Sequence, residues 1–379
     1  MTTGRPTRVL QVLSSDSVGG TERMVSALVG GLDPGCIASH VAMPDARGPV
    51  AEDLRQRGAP VYRLPAPGAP LQTARRLAAL FDEHRFDVVH VYGMRMSLIG
   101  RVAVRLTAHR PGFVIGIRGL HLADWPQADS IRTRLAVRLE RACSVGVDLY
   151  VANSSSGARF LIERGLPAER FRVVPNGVDV EFWTPAMSAP PGGPPLIACV
   201  ANLRPVKRLD LAVDAAAALR DLQAGPFQVV IAGEGALRAT LESQVRRLHL
   251  EDTVKFAGEL HAGQIRELLR RAEFSLMTSA WEGMPVSLLE AMSCACPVAA
   301  TNVPGIADLV RHDETGLLAD STPEGLARAC HRLLTEPALR ARLGARAREV
   351  AVAEYSLARM VAAHQALYRE LGRPGGATR

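Results

Sequence analysis

The sequence predicts an α/β protein of two domains, each a doubly wound parallel sheet, and three observations carry that prediction. The chain has 379 residues, beyond the roughly 250–300 at which a single hydrophobic core stops growing. It is 47% hydrophobic but only 4% aromatic, a composition that suits helices on buried parallel strands better than a β-sandwich. Short apolar runs alternate with helical patterns on both sides of one stretch crowded with Pro and Gly.

The first run, Arg8-Val9-Leu10-Gln11-Val12-Leu13, is followed by a Ser/Gly loop and a helical pattern over about 21–32. This is a strand, a phosphate-sized loop and a helix. Further strands are predicted at 37–43, 60–64, 87–91, 112–117, 148–151 and 171–174, with helices such as 71–84 and 131–142 between most of them. Residues 184–195 hold too much Pro and Gly for helix or strand and are predicted to link the domains. The pattern then restarts, with strands at 196–200, 227–231, 253–256, 273–277 and 297–300 and helices at 209–224, 236–248 and 262–271. A tail of helices closes the chain, giving predicted domains 1–183 and 196–355 and a C-terminal helix and tail over 356–379. Ligands of such sheets bind at the carboxyl ends of strands, so a cleft between the halves is the expected site.

Charge and cysteine content narrow the partners. The net charge of +7 comes mostly from Arg spread along helices, which reads as a solvated helical surface; attraction to phosphate-bearing ligands or an anionic membrane face is the alternative. No basic cluster is interleaved with aromatics, so nucleic acid is not an expected partner. The first eight residues lack an apolar core of a signal, and no run of about 18 apolar residues occurs, so a cytoplasmic protein is expected. Arg132, Arg134, Arg138 and Arg141 surround a stripe of Ile131, Leu135 and Leu139. That stripe reads either as a core face or as an interfacial helix in peripheral contact with anionic lipid. The six cysteines show no metal-ligand spacing, disulfides are not expected, and Cys294 and Cys296 read as packing residues.

The most informative stretch is Ser279-Ala280-Trp281-Glu282-Gly283-Met284-Pro285-Val286-Ser287-Leu288-Leu289-Glu290. Pro285 suits the first helical position, where its missing N–H costs nothing, and Gly283 lets the backbone approach a bound group. Free amides at such a helix start face anions. Glu282 precedes the helix and Glu290 lies within it, at most about 12 Å away at 1.5 Å per residue. One extended ligand spans both. Gly19 and Gly20, between the first strand and the first helix, offer amides to a phosphate or make a tight structural turn. Arg204 and Lys207 follow the first strand of the second half and supply a forked and a point-charge cation to one anion. Gly233-Glu234-Gly235 ends the next strand, but Arg238 stands where a dinucleotide fingerprint has its third glycine. In the first half, His90 and Tyr92 end one strand, while Arg118 and His121 follow another.

The Glu282–Glu290 stretch resembles the Glu-x7-Glu motif of the GT4 family of retaining glycosyltransferases, and the order of the other segments over about 8–319 resembles that family too. The resemblance implies the GT-B fold, two Rossmann-like domains facing a cleft, with the last helix crossing back to the first domain. It implies that Glu282 meets the donor sugar and Glu290 the nucleotide ribose. It places the backbone of Gly19, Gly20, Gly233, Glu234, Gly235, Gly283, Met284, Pro285 and Val286 against the donor, and Arg204 and Lys207 on the leaving diphosphate. The family commonly has an Arg five residues before the Lys, where this chain has Asn202; Arg204 stands two residues later. Relatives often carry a His where Arg118 stands. An Arg is no general base at neutral pH, so its role would be electrostatic, holding the β-phosphate or an anionic acceptor, with His121 the nearest titratable substitute. His90 and Tyr92 would line the acceptor side. Segments around Asn153, Asn176 and Thr315–Leu318 also match the family in order and read first as scaffolding.

The implied reaction moves a sugar from a nucleoside diphosphate to an acceptor hydroxyl with retention, the leaving phosphate taking the acceptor's proton. No cofactor is implied. UDP is the expected donor nucleotide, with GDP and dTDP open, and no metal is expected, since no Asp-x-Asp clamp is present and fixed cations take its place. The acceptor class is a natural product, a polysaccharide or a lipid-linked sugar. Alternatives are a nucleotide-sugar epimerase or phosphorylase on the same scaffold, and a non-catalytic membrane-surface or nucleotide-sugar-binding protein. A nicotinamide oxidoreductase is disfavoured by the missing glycines.

Overall fold

Covered on both faces by crossover helices, the Val-, Ile- and Leu-rich runs suit parallel pairing, and among the described residues every strand pairing is parallel. A computed structural model describes residues 5–14, 19–65, 68–118, 138, 140, 141, 144, 146–187 and 192–372. They fall into two units, one drawn from Met1–Gly177 and Leu357–Arg379, the other being Val178–Ser356.

Unit 1 runs β1 (Thr7–Val12), α1 (Gly20–Gly31), β2 (Ile37–Met43), α2 (Pro49–Gln56), β3 (Val61–Arg63), α3 (Pro70–His84), β4 (Val88–Tyr92), α4 (Met94–Leu106), β5 (Gly112–Ile117), β6 (Leu149–Ala152), α5 (Ser155–Ile162) and β7 (Phe171–Val173). Its sheet has the order β3-β2-β1-β4-β5-β6-β7. The order reverses between β1 and β4, which sets Gln11 beside His90.

Unit 2 runs β8 (Leu196–Val200), α6 (Leu209–Asp221), β9 (Gln228–Ala232), α7 (Arg238–Arg247), β10 (Val254–Gly258), α8 (Ala262–Arg271), β11 (Phe274–Met277), α9 (Val286–Ser293), β12 (Val298–Thr301), β13 (Gly316–Ala319), α10 (Pro323–Thr335) and α11 (Pro337–Glu354). Its sheet has the order β10-β9-β8-β11-β12-β13 and reverses between β8 and β11. One core packs α6 and α10 on the sheet through Leu211, Leu219, Leu326 and Leu333. A second packs α9 and α11 through Leu288, Met292, Ala347 and Val350, and Cys294 and Cys296 lie in it as packing residues. Both expected doubly wound sheets are present. β13 was hidden in a segment read as scaffolding, because a four-residue strand opening on a glycine is too short to show a period.

The chain leaves unit 1 after Gly177. Val178 then donates its N–H to the Tyr355 carbonyl at 2.8 Å and bridges Ser356. Trp183 is buried in the α9/α11 core, and the Arg348 guanidinium donates to the carbonyls of Val180, Trp183 and Ser293 at 2.7–2.9 Å. The Thr184 carbonyl accepts from Arg270 at 2.7 Å. The described residues of the expected linker over 184–195 therefore belong to unit 2, and the crossing lies several residues earlier.

After α11 the chain returns to unit 1 as α12 (Leu357–Leu371). There Tyr368 and His364 are fully buried. Among the described residues no helix is long and apolar enough to cross a membrane. The stripe at Ile131, Leu135 and Leu139 lies outside them.

Candidate active site

In unit 2 the loops after β8, β9, β11 and β12 converge at the point where the strand order reverses. Arg204 opens a 3-10 turn, Pro205–Lys207, and the loop after β11 is stitched to it. The Ala280 N–H donates to the Val206 carbonyl at 2.8 Å, and the Thr278 hydroxyl donates to the carbonyls of Lys207 and Arg208 at 3.0 and 2.9 Å. From the other side, the Thr301 hydroxyl at the end of β12 donates to the Ser279 carbonyl at 2.7 Å. A loop held at both flanks gives its side chains fixed directions.

Glu282 is such a side chain. Its Oε1 accepts from Lys207 Nζ at 2.5 Å and from Ser279 Oγ at 2.6 Å. The Lys207 and Glu282 side chains are only 21% and 11% exposed, so this charge-assisted pair is less screened than a surface one. Arg204, the residue just before the turn, is exposed and makes no ion pair among the described residues. The helix bearing Glu290 begins at Val286, with Pro285 as its N-cap and no side-chain cap. Pro285 was expected one position later in the helix. Its extended backbone, ψ 118°, keeps it outside, and the uncapped amides start at Val286. Glu290 is 7% exposed. Gly283 and Met284 are buried as well.

The turn after β9 packs on the turn after β8. Gly233 has φ 145°, and a Cβ there would stand 2.1 Å from the Ala201 carbonyl oxygen, so only glycine fits. Glu234 and Gly235 are exposed, and Glu234 pairs with Arg238 at 2.9 Å.

Unit 1 holds the remaining predicted residues at the corresponding ends of its strands. Gly19 is the N-cap of α1, without a side-chain cap, and a Cβ on it would meet the Glu22 carboxylate at 2.6 Å. Gly20 faces open space. His90 and Tyr92, expected to line the acceptor side, are instead enclosed, at 0% and 1% exposure. Tyr92 donates to Gln11 Oε1 at 2.8 Å. Gln11 Nε2 donates to the Tyr368 hydroxyl at 3.0 Å, which lies 2.8 Å from His90 Nδ1. Burial, then the charges of His364 and Arg118, hold the His90 pKa well below its ordinary value, so the ring is neutral. The correction has a plain cause: α12 roofs this face of β4, and nothing near β4 in sequence announces it.

Arg118 follows β5. Its Nη1 donates to Asn176 Oδ1 at 2.7 Å, and its Cζ lies 5.3 Å from the centre of the Tyr92 ring. His121 lies outside the described residues. Sequence reading missed Ser279, Gly305, Gln11, His364 and Tyr368. Of these only Gly305 carried a local signal, the Pro304-Gly305 turn dipeptide.

Two parallel α/β units with a Lys–Glu pair and an uncapped helix start at a switch point define a nucleotide-binding α/β enzyme class. Sequence comparison specifies it further. Residues 18–182 match the model of Glycosyltransferase Family 4, and residues 184–350 match that of Glycosyl transferases group 1. The chain belongs to the GT4 family of glycosyltransferases, enzymes that transfer sugars from nucleotide-sugar donors. It is similar to a D-inositol 3-phosphate glycosyltransferase of Acidothermus cellulolyticus, 30% identical over 71% of this chain and 64% of that protein. It is also similar to the N-acetyl-alpha-D-glucosaminyl L-malate synthase of Bacillus anthracis, 25% identical over 80% of each chain. Among solved structures, HepE of Anabaena in complex with UDP and glucose superposes with TM-score 0.82 at 20% identity, over 95% of this chain and 99% of that one. The GT-B fold is shared with it.

Proposed function

We propose that this enzyme transfers a hexose from a UDP-sugar to an acceptor hydroxyl with retention of anomeric configuration and without a metal. The observation that carries the reading is the carboxylate of Glu282, held by Lys207 and Ser279 beside the uncapped start of α9. Glu282 orients the sugar through its hydroxyls. Lys207 and Arg204 take the diphosphate, with the amides from Val286 onward adding partial positive charge where negative charge develops on the leaving oxygens. Glu290 accepts hydrogen bonds from the ribose. The backbone of Gly233, Glu234, Gly235, Gly283, Met284 and Pro285 runs along the donor, and Gly19 and Gly20 offer amides to its phosphates. The leaving phosphate takes the acceptor proton, so no protein base is required.

UDP as the nucleotide is supported by HepE, whose structures include complexes with UDP and with UDP-glucose. The names of two relatives specify inositol 3-phosphate and L-malate, both hydroxyl-bearing acids, and these head the acceptor panel. Calorimetry with UDP, GDP, dTDP and their sugars, followed by product analysis with that panel, tests the proposal. UDP binding that weakens at least about tenfold in Lys207→Ala and transfer that falls about 10²–10³-fold in folded Glu282→Ala are expected, with rates unchanged by EDTA. Donor turnover in the absence of any acceptor, or full activity in Glu282→Ala, would overturn it.

A further inference from the structure

Arg118 carries a cation into unit 1 without an anion to meet it. Among the described residues its Nη1 donates to Asn176 Oδ1, and the Tyr92 side chain is a neutral polar neighbour. Nε and Nη2 are buried donors with no acceptor among the described residues, and no acidic side chain among them pairs with Arg118. These two nitrogens form the edge of the guanidinium whose parallel N–H groups match the two oxygens of a carboxylate or phosphate. The surroundings leave that edge waiting. Tyr92 presents a ring face to the guanidinium, and His90 and His364 are fully buried with Nε2 atoms that have no partner. His364 donates from Nδ1 to the Met360 carbonyl at 2.9 Å. Burial and the charge of Arg118 push its pKa down to about 3, so His364, like His90, is neutral. A part-buried guanidinium whose Nε and Nη2 N–H groups are enclosed and unmet is costly unless a ligand meets them.

We infer that the Nε–Nη2 edge of Arg118, fixed by Asn176 at the end of β5, binds an acid group, carboxylate or phosphate monoester, carried by the sugar acceptor. The inference rests on the transferase reading above and names the acceptor's chemical class: a hydroxyl compound with an oxyanion. The donor's diphosphate is the competing source of the same chemistry, but unit 2 has its own cations for it in Lys207 and Arg204.

The probe is inorganic phosphate, titrated calorimetrically into the full chain at constant ionic strength, with and without saturating UDP. One phosphate is expected to bind whether or not UDP is present. Its affinity should fall about 30-fold or more in Arg118→Met, and by less in Arg118→Lys, which keeps a charge but not the fork. UDP affinity should stay within about twofold in both variants, since no donor contact is removed. Circular dichroism checks the fold, and the lysine variant alone suffices if the methionine variant does not fold. Displacement of phosphate by UDP, a loss of UDP affinity in the Arg118 variants, or phosphate binding that ignores the substitution would each overturn the inference. Failure of the donor reading is separate, since it shows as absence of UDP binding in the unsubstituted protein while the phosphate titration without UDP still reports on Arg118.

Discussion

Gly305 has φ 84°, and a Cβ built there would stand 2.1 Å from the carbonyl oxygen of Glu282 and 2.6 Å from that of Gly283. The loop after β12 thus backs directly onto the Glu282 loop, and no side chain fits between them. Gly305→Ala pays the left-handed penalty of about 1–2 kcal/mol, but the larger effect is displacement of the Glu282 backbone. Misplacement by about 1 Å costs on the order of 10²-fold in rate, so transfer should fall by that factor in steady-state assays while the thermal midpoint drops by only a few degrees. A variant with unchanged rate would show that this contact does not position Glu282. The same residues show what a sequence discloses. Glu282, Lys207 and Glu290 were legible as candidates, because charge at a strand's end or a helix start has a local meaning. The Ser279 hydroxyl on Glu282 and the Gly305 backing were not, because each depends on how loops from neighbouring strands meet.

Between residue and molecule, the pairing of β1 with β4 and the docking of α12 build a buried polar row of Gln11, Tyr92, His90, Tyr368 and His364. His90 has Tyr92 of its own strand beside it, but its Tyr368 partner comes from 278 residues away. The periodicity of β4 and α12 was legible; their meeting was not. The row makes a pH prediction. His364 is held at about 3 and His90 well below 6.5, chiefly by burial. Above pH 6.5 neither the folded nor the unfolded chain protonates them, and their full contribution to stability is present. As pH falls below 6.5 the unfolded chain takes up protons that the folded one refuses, so stability declines toward about pH 3 by up to about 1.4 kcal/mol per pH unit for each histidine. Arg118 faces both rings and opposes their protonation further. Urea unfolding of unit 1 at pH 7 and pH 5 should show this decline, and His364→Gln should remove one histidine's share of it. An unchanged slope in that variant would contradict the assignment.

At the scale of the molecule, unit 2 is one uninterrupted stretch, Val178–Ser356, while unit 1 is assembled from two. The ends of that stretch are tied, with Val178 bonded to Tyr355 and bridged to Ser356. A fragment of 178–356 has both cores of unit 2 and needs nothing covalent from unit 1. It should therefore unfold cooperatively in urea and bind UDP within about tenfold of the full chain, since most of the proposed donor contacts lie in it. A fragment of 1–177 lacks Tyr368 and His364, opens the row beneath His90 to water and should not unfold cooperatively. Gradual melting of the first fragment, or a sharp transition in the second, would contradict this division.

The late return of α12 also sets an order of events during synthesis. Domains commonly fold in the order in which they leave the ribosome. Here the unit begun first is finished last, because the helix that roofs β4 is translated only after all of unit 2. Until then the nascent chain carries an unroofed sheet with Gln11, His90 and Tyr92 uncovered, while the module made after it is already able to close. The interval in which this protein is most exposed to chaperones and proteases is thus fixed by the position of fifteen residues, Leu357–Leu371.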